Sequence, residues 1–378
     1  MLKTTTNIPF DDKHWRRINM RSVSHLLGAE MLHNLYNRHW ARINSLRFRH
    51  TVTTYKQGIV EAYAPIDEWQ YLQNWLSKKF VNLDSVLIRE IEAIMNPDYK
   101  FVDEIIAKVN DSDLAKISDD ELGLLLIDIM DYPLGEIYKL NVVQIEYSLN
   151  YALHKILEEY EPNLEDRNLL LAKLISPGEL TVSQIEEVAF TDVIRLAHST
   201  SDGAFNTETL EALNNHYAQF AATHCAYGEN PPTIEDYKNK LQLAVQSENK
   251  PITKEEAAAE VKRQHEQSKA LLSRLNDSRL DMLCDLMSRI GVFRDKNKAK
   301  LGETVVKRLE ILSEISRRKQ VTLEDVNLYL MSELTDLIEK DVKLSADVLK
   351  TRQEKGVSFV RNEDVISPLF ISIDVTSQ

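Results

Sequence analysis

Residues 118–160 read "SDDELGLLLIDIMDYPLGEIYKLNVVQIEYSLNYALHKILEEY". Apolar residues return along this stretch at steps of three and four, the repeat that lays one stripe along one face of an α-helix. Ser118, followed three residues on by Glu121, forms a capping box at its start, with side chain and backbone exchanging hydrogen bonds. Pro133 should kink or divide it, because proline lacks an N–H and its ring collides with the preceding turn. Such a long helical pattern implies a core built from helix stripes.

The same texture continues on both sides. Asp67 and Glu68 open a helix with acids in its first turn, where the helix dipole favours them. "NLDSVLIREIEAIMN" at 82–96 repeats Leu83, Val86, Leu87, Ile91 and Ile94. In "SPGELTVSQIEEVAFTDVIRLAHS" at 176–199, Pro177-Gly178 stops one helix and a Thr/Ser cap starts the next. Thr207 to Ala222 carries Leu210, Leu213, Tyr217 and Phe220 on one face. Residues 245–260 are polar, a surface connection running into a charged helix. Helical segments follow at 267–300, 303–320 and 322–340, the last opened by Thr322 and Asp325 in a second capping box.

The two ends of the chain differ. His14 to Arg47 places Trp15, Ile18, Val23, Leu26, Leu27, Met31, Leu35 and Trp40 at steps of three to five, a pattern that predicts one amphipathic helix. Arg47–Tyr55 and Ile59–Tyr63 are short Thr/Val/Tyr-rich runs separated by Gly58, which predict a small hairpin. The tail "GVSFVRNEDVISPLFISIDV" at 356–375 alternates apolar and polar residues and predicts one or two strands. With little to pair against, these are expected at an edge, or against something outside this chain. The expected fold is mainly α: a multi-helix bundle with a small N-terminal β-hairpin and short C-terminal strands. It divides into 1–65 (helix plus hairpin), 66–245 (acidic helical body), 246–350 (second helical segment) and 351–378 (strand-like tail).

Composition agrees. The 378 residues are 43% hydrophobic and 28% charged, the balance of a globular protein, with only 10 Gly and 10 Pro. All-β and Rossmann-type chains need more glycine at turns and phosphate loops. Two cysteines, Cys225 and Cys284, cannot build a disulfide framework or a four-thiolate zinc site. No apolar run reaches the roughly 18–20 residues of a membrane span, and the N-terminus lacks the apolar core of a secretory signal. A cytoplasmic, reduced protein is expected, with no membrane partner. The net charge is −13, and residues 81–170 hold 7 Lys and Arg against 20 Asp and Glu. Residues 251–320 hold 16 against 11, a positive stretch too diluted by carboxylates for a nucleic-acid footprint. No nucleic-acid partner is expected.

No phosphate-loop, dinucleotide, nucleophile-elbow, zincin or EF-hand motif occurs. The ten histidines are scattered, without the i, i+4 spacing of a ligand pair on one helix, so neither a metal nor a resident cofactor is expected. "HYAQFAATHCAYGENPPTIEDYKNKL" at 216–241 sets His224 beside Cys225. Neighbours on a helix point about 100° apart, which suits helix packing better than a nucleophile–base pair. The helix here should end near Tyr227-Gly228, and Thr233 should cap the next. Glu186/Glu187, Asp119/Asp120 and Glu235/Asp236 read as caps or solvated faces. Arg289 and Arg294 flank "IGVF" and could hold an anionic ligand by paired hydrogen bonds, or form part of a solvated helix face.

The segment order resembles the helical region of phosphoenolpyruvate-utilising enzymes, in the phosphoenolpyruvate synthase and rifampicin phosphotransferase group. Three stretches spread over residues 120–365 carry the likeness: the 216–241 segment, the arginine-bearing run from Arg289 to Ile338, and "VLKTRQEKGVSFVRN" at 348–362, similar to a short Arg-bearing helix leading into a strand. The resemblance implies a helical component of a phosphotransferase system, with Arg289 and Arg294 on its arginine-bearing helix in a ligand-binding role. The Gly-rich nucleotide-gripping domain and the mobile phosphohistidine domain of that group have no counterpart here. A nucleotide-binding or phosphohistidine-domain protein acting in trans is therefore the implied partner. The alternative is a non-catalytic helical scaffold.

Overall fold

The computed structural model describes residues 14–34, 48, 50–96, 98–137, 142–198, 205–225, 230–247, 252–362 and 369–371. The protein is mainly α, with a five-stranded antiparallel sheet at one side.

The sheet gathers both ends of the chain. Its strands are β1 (Trp15–Ser22), β2 (His50–Lys56), β3 (Ile59–Pro65), β4 (Val357–Asn362) and β5 (Leu369–Ile371), in spatial order β1-β3-β2-β4-β5. The expected hairpin is β2–β3. Its turn residues Gln57 and Gly58 both have positive φ, 49° and 78°, the geometry that matches the twist of a two-residue hairpin. Two expectations are corrected. First, of the two tail strands only β5 takes the edge, while β4 lies inside the sheet, paired with β2 from His50–Asn362 to Tyr55–Val357 and with β5 on its other side. The tail's missing partner lies within the chain itself. Second, Trp15–Ser22 is a strand, and the helix expected over 14–47 is reduced to α1 (Leu26–Asn34), with 35–47 outside the described residues. The cause is a register shift between Arg17 and Asn19 in the pairing with β3. The extra residue, Ile18, lets Trp15 and Ile18 both be buried three apart, a step that imitates a helical period.

After the hairpin come α2 (Ile66–Val81), α3 (Ser85–Ile94), α4 (Lys100–Asp111), α5 (Asp119–Ile137), α6 (Val142–Leu157) and α7 (Leu164–Leu174). The Ser118/Glu121 capping box forms as expected. Helix α5 continues through Pro133 to Ile137. Next come α8 (Val182–His198), α9 (Thr207–Phe220), a 3-10 turn at Ala221–His224, α10 (Ile234–Gln246) and α11 (Lys254–Leu275). Thr233 with Asp236 and Thr253 with Glu256 close capping boxes on α10 and α11.

The spine is α12 (Ser278–Lys319), 42 residues long and therefore about 63 Å from end to end. It is one helix where the sequence suggests two, because Gly302 does not end it. Its buried residues run from Leu280 to Ile315. After it come α13 (Leu323–Val326), α14 (Met331–Lys340) and α15 (Ala346–Lys355), which leads into β4.

The largest core cluster joins the sheet (Tyr55, Val60, Ala62, Phe359) to α2, α3, α6, α7 and the first half of α12. A second unites α1, α4 and α5 with the last turns of α12 and with α14. A third binds α8, α9 and α10 through Phe190, Leu213, Tyr237 and Leu241. Buried apolar area of this kind is the main term holding such a fold together. Among the described residues, no helix is long and apolar enough to cross a membrane.

Candidate functional sites

His224 and Cys225 point apart. The Cys225 thiol is fully buried and lies 3.2 Å from the carbonyl oxygen of Ala222 and 3.6 Å from that of Gly302. A Cβ built on Gly302 would stand 1.7 Å from the Ala222 oxygen, so the absent side chain is what lets the 3-10 turn lie on α12. Helix α9 ends at Phe220, earlier than the expected Tyr227-Gly228, which falls outside the described residues. The other thiol, Cys284, is pushed up to about 12 by burial. Neither cysteine has the exposed, thiolate-stabilising surroundings of a nucleophile.

His224 turns instead toward Glu186, and here the structure departs from the sequence reading. Glu186 is not on a solvated face: it is 2% exposed. Its Oε1 lies 3.1 Å from His216 Nε2, 3.2 Å from Lys240 Nζ and 3.7 Å from His224 Nε2. Burial would raise its pKa, but hydrogen bonds from His216 and His224 and the Lys240 charge outweigh that and hold the carboxyl far below the usual range. The Lys240 ammonium also lies over the Phe190 ring at 4.4 Å. Beside them the Tyr237 hydroxyl is buried without a hydrogen-bond partner, and its pKa is raised by burial and by Glu186. One carboxylate thus ties α8, α9 and α10 together. With Lys240 already on that oxygen, the arrangement holds a charge in place rather than offering it to a ligand.

Arg289 and Arg294 occupy separate clefts. Arg289 lines one of about 700 Å³ between α3, α7–α8 and α12. Its guanidinium is bound by Glu92 at 2.6 Å and Asp285 at 2.8 Å, and nearby Lys296 by Glu179 at 3.1 Å. His265 enters the same cleft with Nδ1 3.1 Å from the Ser176 carbonyl. Three carboxylates outnumber two cations there, which leaves no positive excess for an anion.

The Arg294 cleft, about 520 Å³, lies between β1, α6 and α12. Its charged lining is Arg17, Arg21 and Arg294 against Glu146. Arg17 is held by Glu61 at 2.5 Å and Arg294 by Glu146 at 2.6 Å. Burial raises the Glu146 carboxyl above its ordinary value in spite of Arg294. Lys298, one turn beyond Arg294, is lowered by burial and by the charges of Arg294 and Arg21. The register shift in β1 brings Arg21 here. Arg17 stands opposite Tyr63, on the sheet face of Trp15, Val52 and Val360, whereas Arg21 stands opposite Val60, which belongs to the helix-facing core. Without the shift, Arg17 and Arg21 would share a face.

One aromatic ring, Tyr147, lines this cleft. Tyr147 is 49% exposed, and the Trp69 ring meets it edge-on, centroids 5.6 Å apart. Arg16 caps Trp69 in turn at 4.9 Å. Among the described residues, no group of three or more His, Cys, Asp and Glu side chains is arranged to hold a metal ion. No family model matches the chain, and no curated protein matches it in sequence.

Proposed function

We propose that this chain is the helical component of a phosphoenolpyruvate-utilising-type phosphotransferase system, binding substrate or docking separately encoded nucleotide-binding or phosphohistidine domains. The observation that carries the reading is the run from α12 to β4. An arginine-bearing helix with Arg294 on a cleft is followed by α13 and α14, then by the short Arg-bearing α15, which enters a strand. That order follows the family resemblance of the sequence. Arg352 on α15 fixes the junction: it makes paired contacts of 2.6 Å with Glu333 and a 2.6 Å hydrogen bond to the Leu328 carbonyl.

The test is reconstitution. The purified chain is mixed with candidate nucleotide-gripping and phosphohistidine proteins, and phosphate transfer from ATP or phosphoenolpyruvate is followed. Transfer should require the mixture, and the isolated chain should turn over neither donor. Robust hydrolysis or a phosphorylated histidine on the chain alone would sink the reading. The neutralised cleft at Arg289 favours a second reading, a non-catalytic helical scaffold in which such arginines only join helices. Failure of every partner to bind would favour it.

A further inference from the structure

We propose that the outer edge of β1 takes up an extended, uncharged segment of another polypeptide. The segment adds a strand beside Arg17–Arg21 and turns its apolar side chains toward Tyr147 and Met287. This goes beyond the phosphotransfer reading and does not depend on it.

The position of the strand is the first ground. β1 stands last in the sheet order, and among the described residues no strand lies beyond it. The cleft between β1, α6 and α12 touches every residue from Arg17 to Arg21. Arg17 and Met20 stand opposite Tyr63 and Glu61 on one face of the sheet, whereas Asn19 and Arg21 stand opposite Ala62 and Val60 on the other. A cleft that meets both faces of a strand follows its edge.

Backbone direction is the second. The two-residue turn at Gln57-Gly58 makes Lys56–Ile59 a hydrogen-bonded pair, so Ile59 and Glu61 aim their N–H and C=O groups at β2. Val60 and Ala62 then aim theirs at β1. Asn19 and Arg21 answer them, while Met20 and Ser22 direct their backbone groups outward. The Met20 carbonyl accordingly accepts from the Arg21 guanidinium at 2.9 Å, and it keeps a second lone pair. Outward N–H and C=O groups along an edge are the template for strand addition.

The third ground is the chemistry of the walls. Arg17 is paired with Glu61 and Arg294 with Glu146, so the groove does not select its occupant by net charge. Tyr147 is half exposed, and Met287 and Ile18 line the groove with it. A segment alternating apolar and polar residues fits, with its apolar set against these side chains and its polar set in solvent. A second copy does not, because α6 and α12 flank its β1 in the same way and keep the two edges apart.

The test is titration of the full chain with blocked heptapeptides that alternate serine with valine, leucine or tyrosine, followed by calorimetry and by amide exchange. At least one should bind saturably below about 1 mM. Exchange at Met20 and Ser22 should then slow about tenfold or more, while Asn19 and Arg21, already bonded to β3, keep their rates. Met20→Pro removes an outward N–H and spares the β1–β3 ladder, as edge strands allow, and should abolish binding. Tyr147→Ala should weaken it about tenfold. Failure of every peptide to bind would overturn the proposal, as would slowing at Asn19 and Arg21 in place of Met20 and Ser22. Slow exchange at Met20 and Ser22 without peptide would also overturn it, since the chain itself or a second copy would then cover the edge.

Discussion

Glu186 and His216 face each other at 3.1 Å, both side chains 3% exposed, and join α8 to α9 inside the third core cluster. The folded carboxyl lies far below its unfolded value of 4.5, so the unfolded chain binds the extra proton as pH falls. Stability from this group is complete above about pH 4.5 and is lost as pH drops toward the folded value. Glu186→Gln should therefore cost about 3 kcal/mol at neutral pH and much less at pH 3. Urea unfolding at the two pH values measures this, and an equal penalty at both would refute it.

Two glycines on α12 should respond with opposite signs. Nothing lies within 4 Å of a Cβ added to Gly291, so Gly291→Ala should stabilise by about 0.5–1 kcal/mol through helix propensity. Gly302→Ala would drive its methyl into the Ala222 carbonyl and should cost about 2 kcal/mol or more. Thermal denaturation of the pair provides the comparison. A neutral Gly302→Ala would mean that the 3-10 turn does not lie on the helix as described.

The helices were readable wherever a cap met a stripe. The boxes at Ser118/Glu121 and Thr233/Asp236 close, and Thr322 caps its helix by accepting from the Asp325 N–H, because capping is local chemistry between residues three apart. The strand at Trp15 was not readable, since one inserted residue converts a period of two into a step of three. The place of β4 was also hidden, because pairing between distant strands leaves no mark on either one. Glu186 carried a signal that was missed. With Phe190, Val193 and Ala197 it falls on the buried stripe of α8, at steps of four, three and four. A carboxylate on such a stripe needs partners, and His216 and Lys240 lay in the neighbouring segments. Arg294 was picked out by its flanking apolar run. Its difference from Arg289 depends on which carboxylates fold against each, and that only the tertiary structure reveals.

Capping offers a separate check. Thr253→Ala removes the acceptor for the Glu256 N–H at the start of α11 and should cost about 1 kcal/mol. Amide exchange in the first turn of α11 should quicken, while that in α12 stays slow. Uniform quickening across both helices would show that the cap is not local.

Both thiols should be silent in the native protein. Cys225 and Cys284 are buried, and the Cys284 thiol is pushed up to about 12. A disulfide reagent at pH 8 should label neither until denaturant is added, and then both together. Rapid native labelling of either one would contradict its placement.

Phe359 on β4 is 2% exposed in the largest core cluster and stacks on His33 at 5.5 Å between ring centroids. Phe359→Ala should cost about 3–5 kcal/mol, and deleting residues 357–378 should bare the edge of β2 that β4 covers and leave the protein prone to associate. A truncated chain that melts cooperatively at the parental temperature would argue against a structural role for the tail.

The pairing of β2 with β4 also has a consequence in time. Thr54 cannot meet Ser358 until the helices between them have been made, so those helices can collect before β2 and β4 pair. The cleft between β1, α6 and α12 likewise waits for α12, and a chain stopped before that helix would not display it.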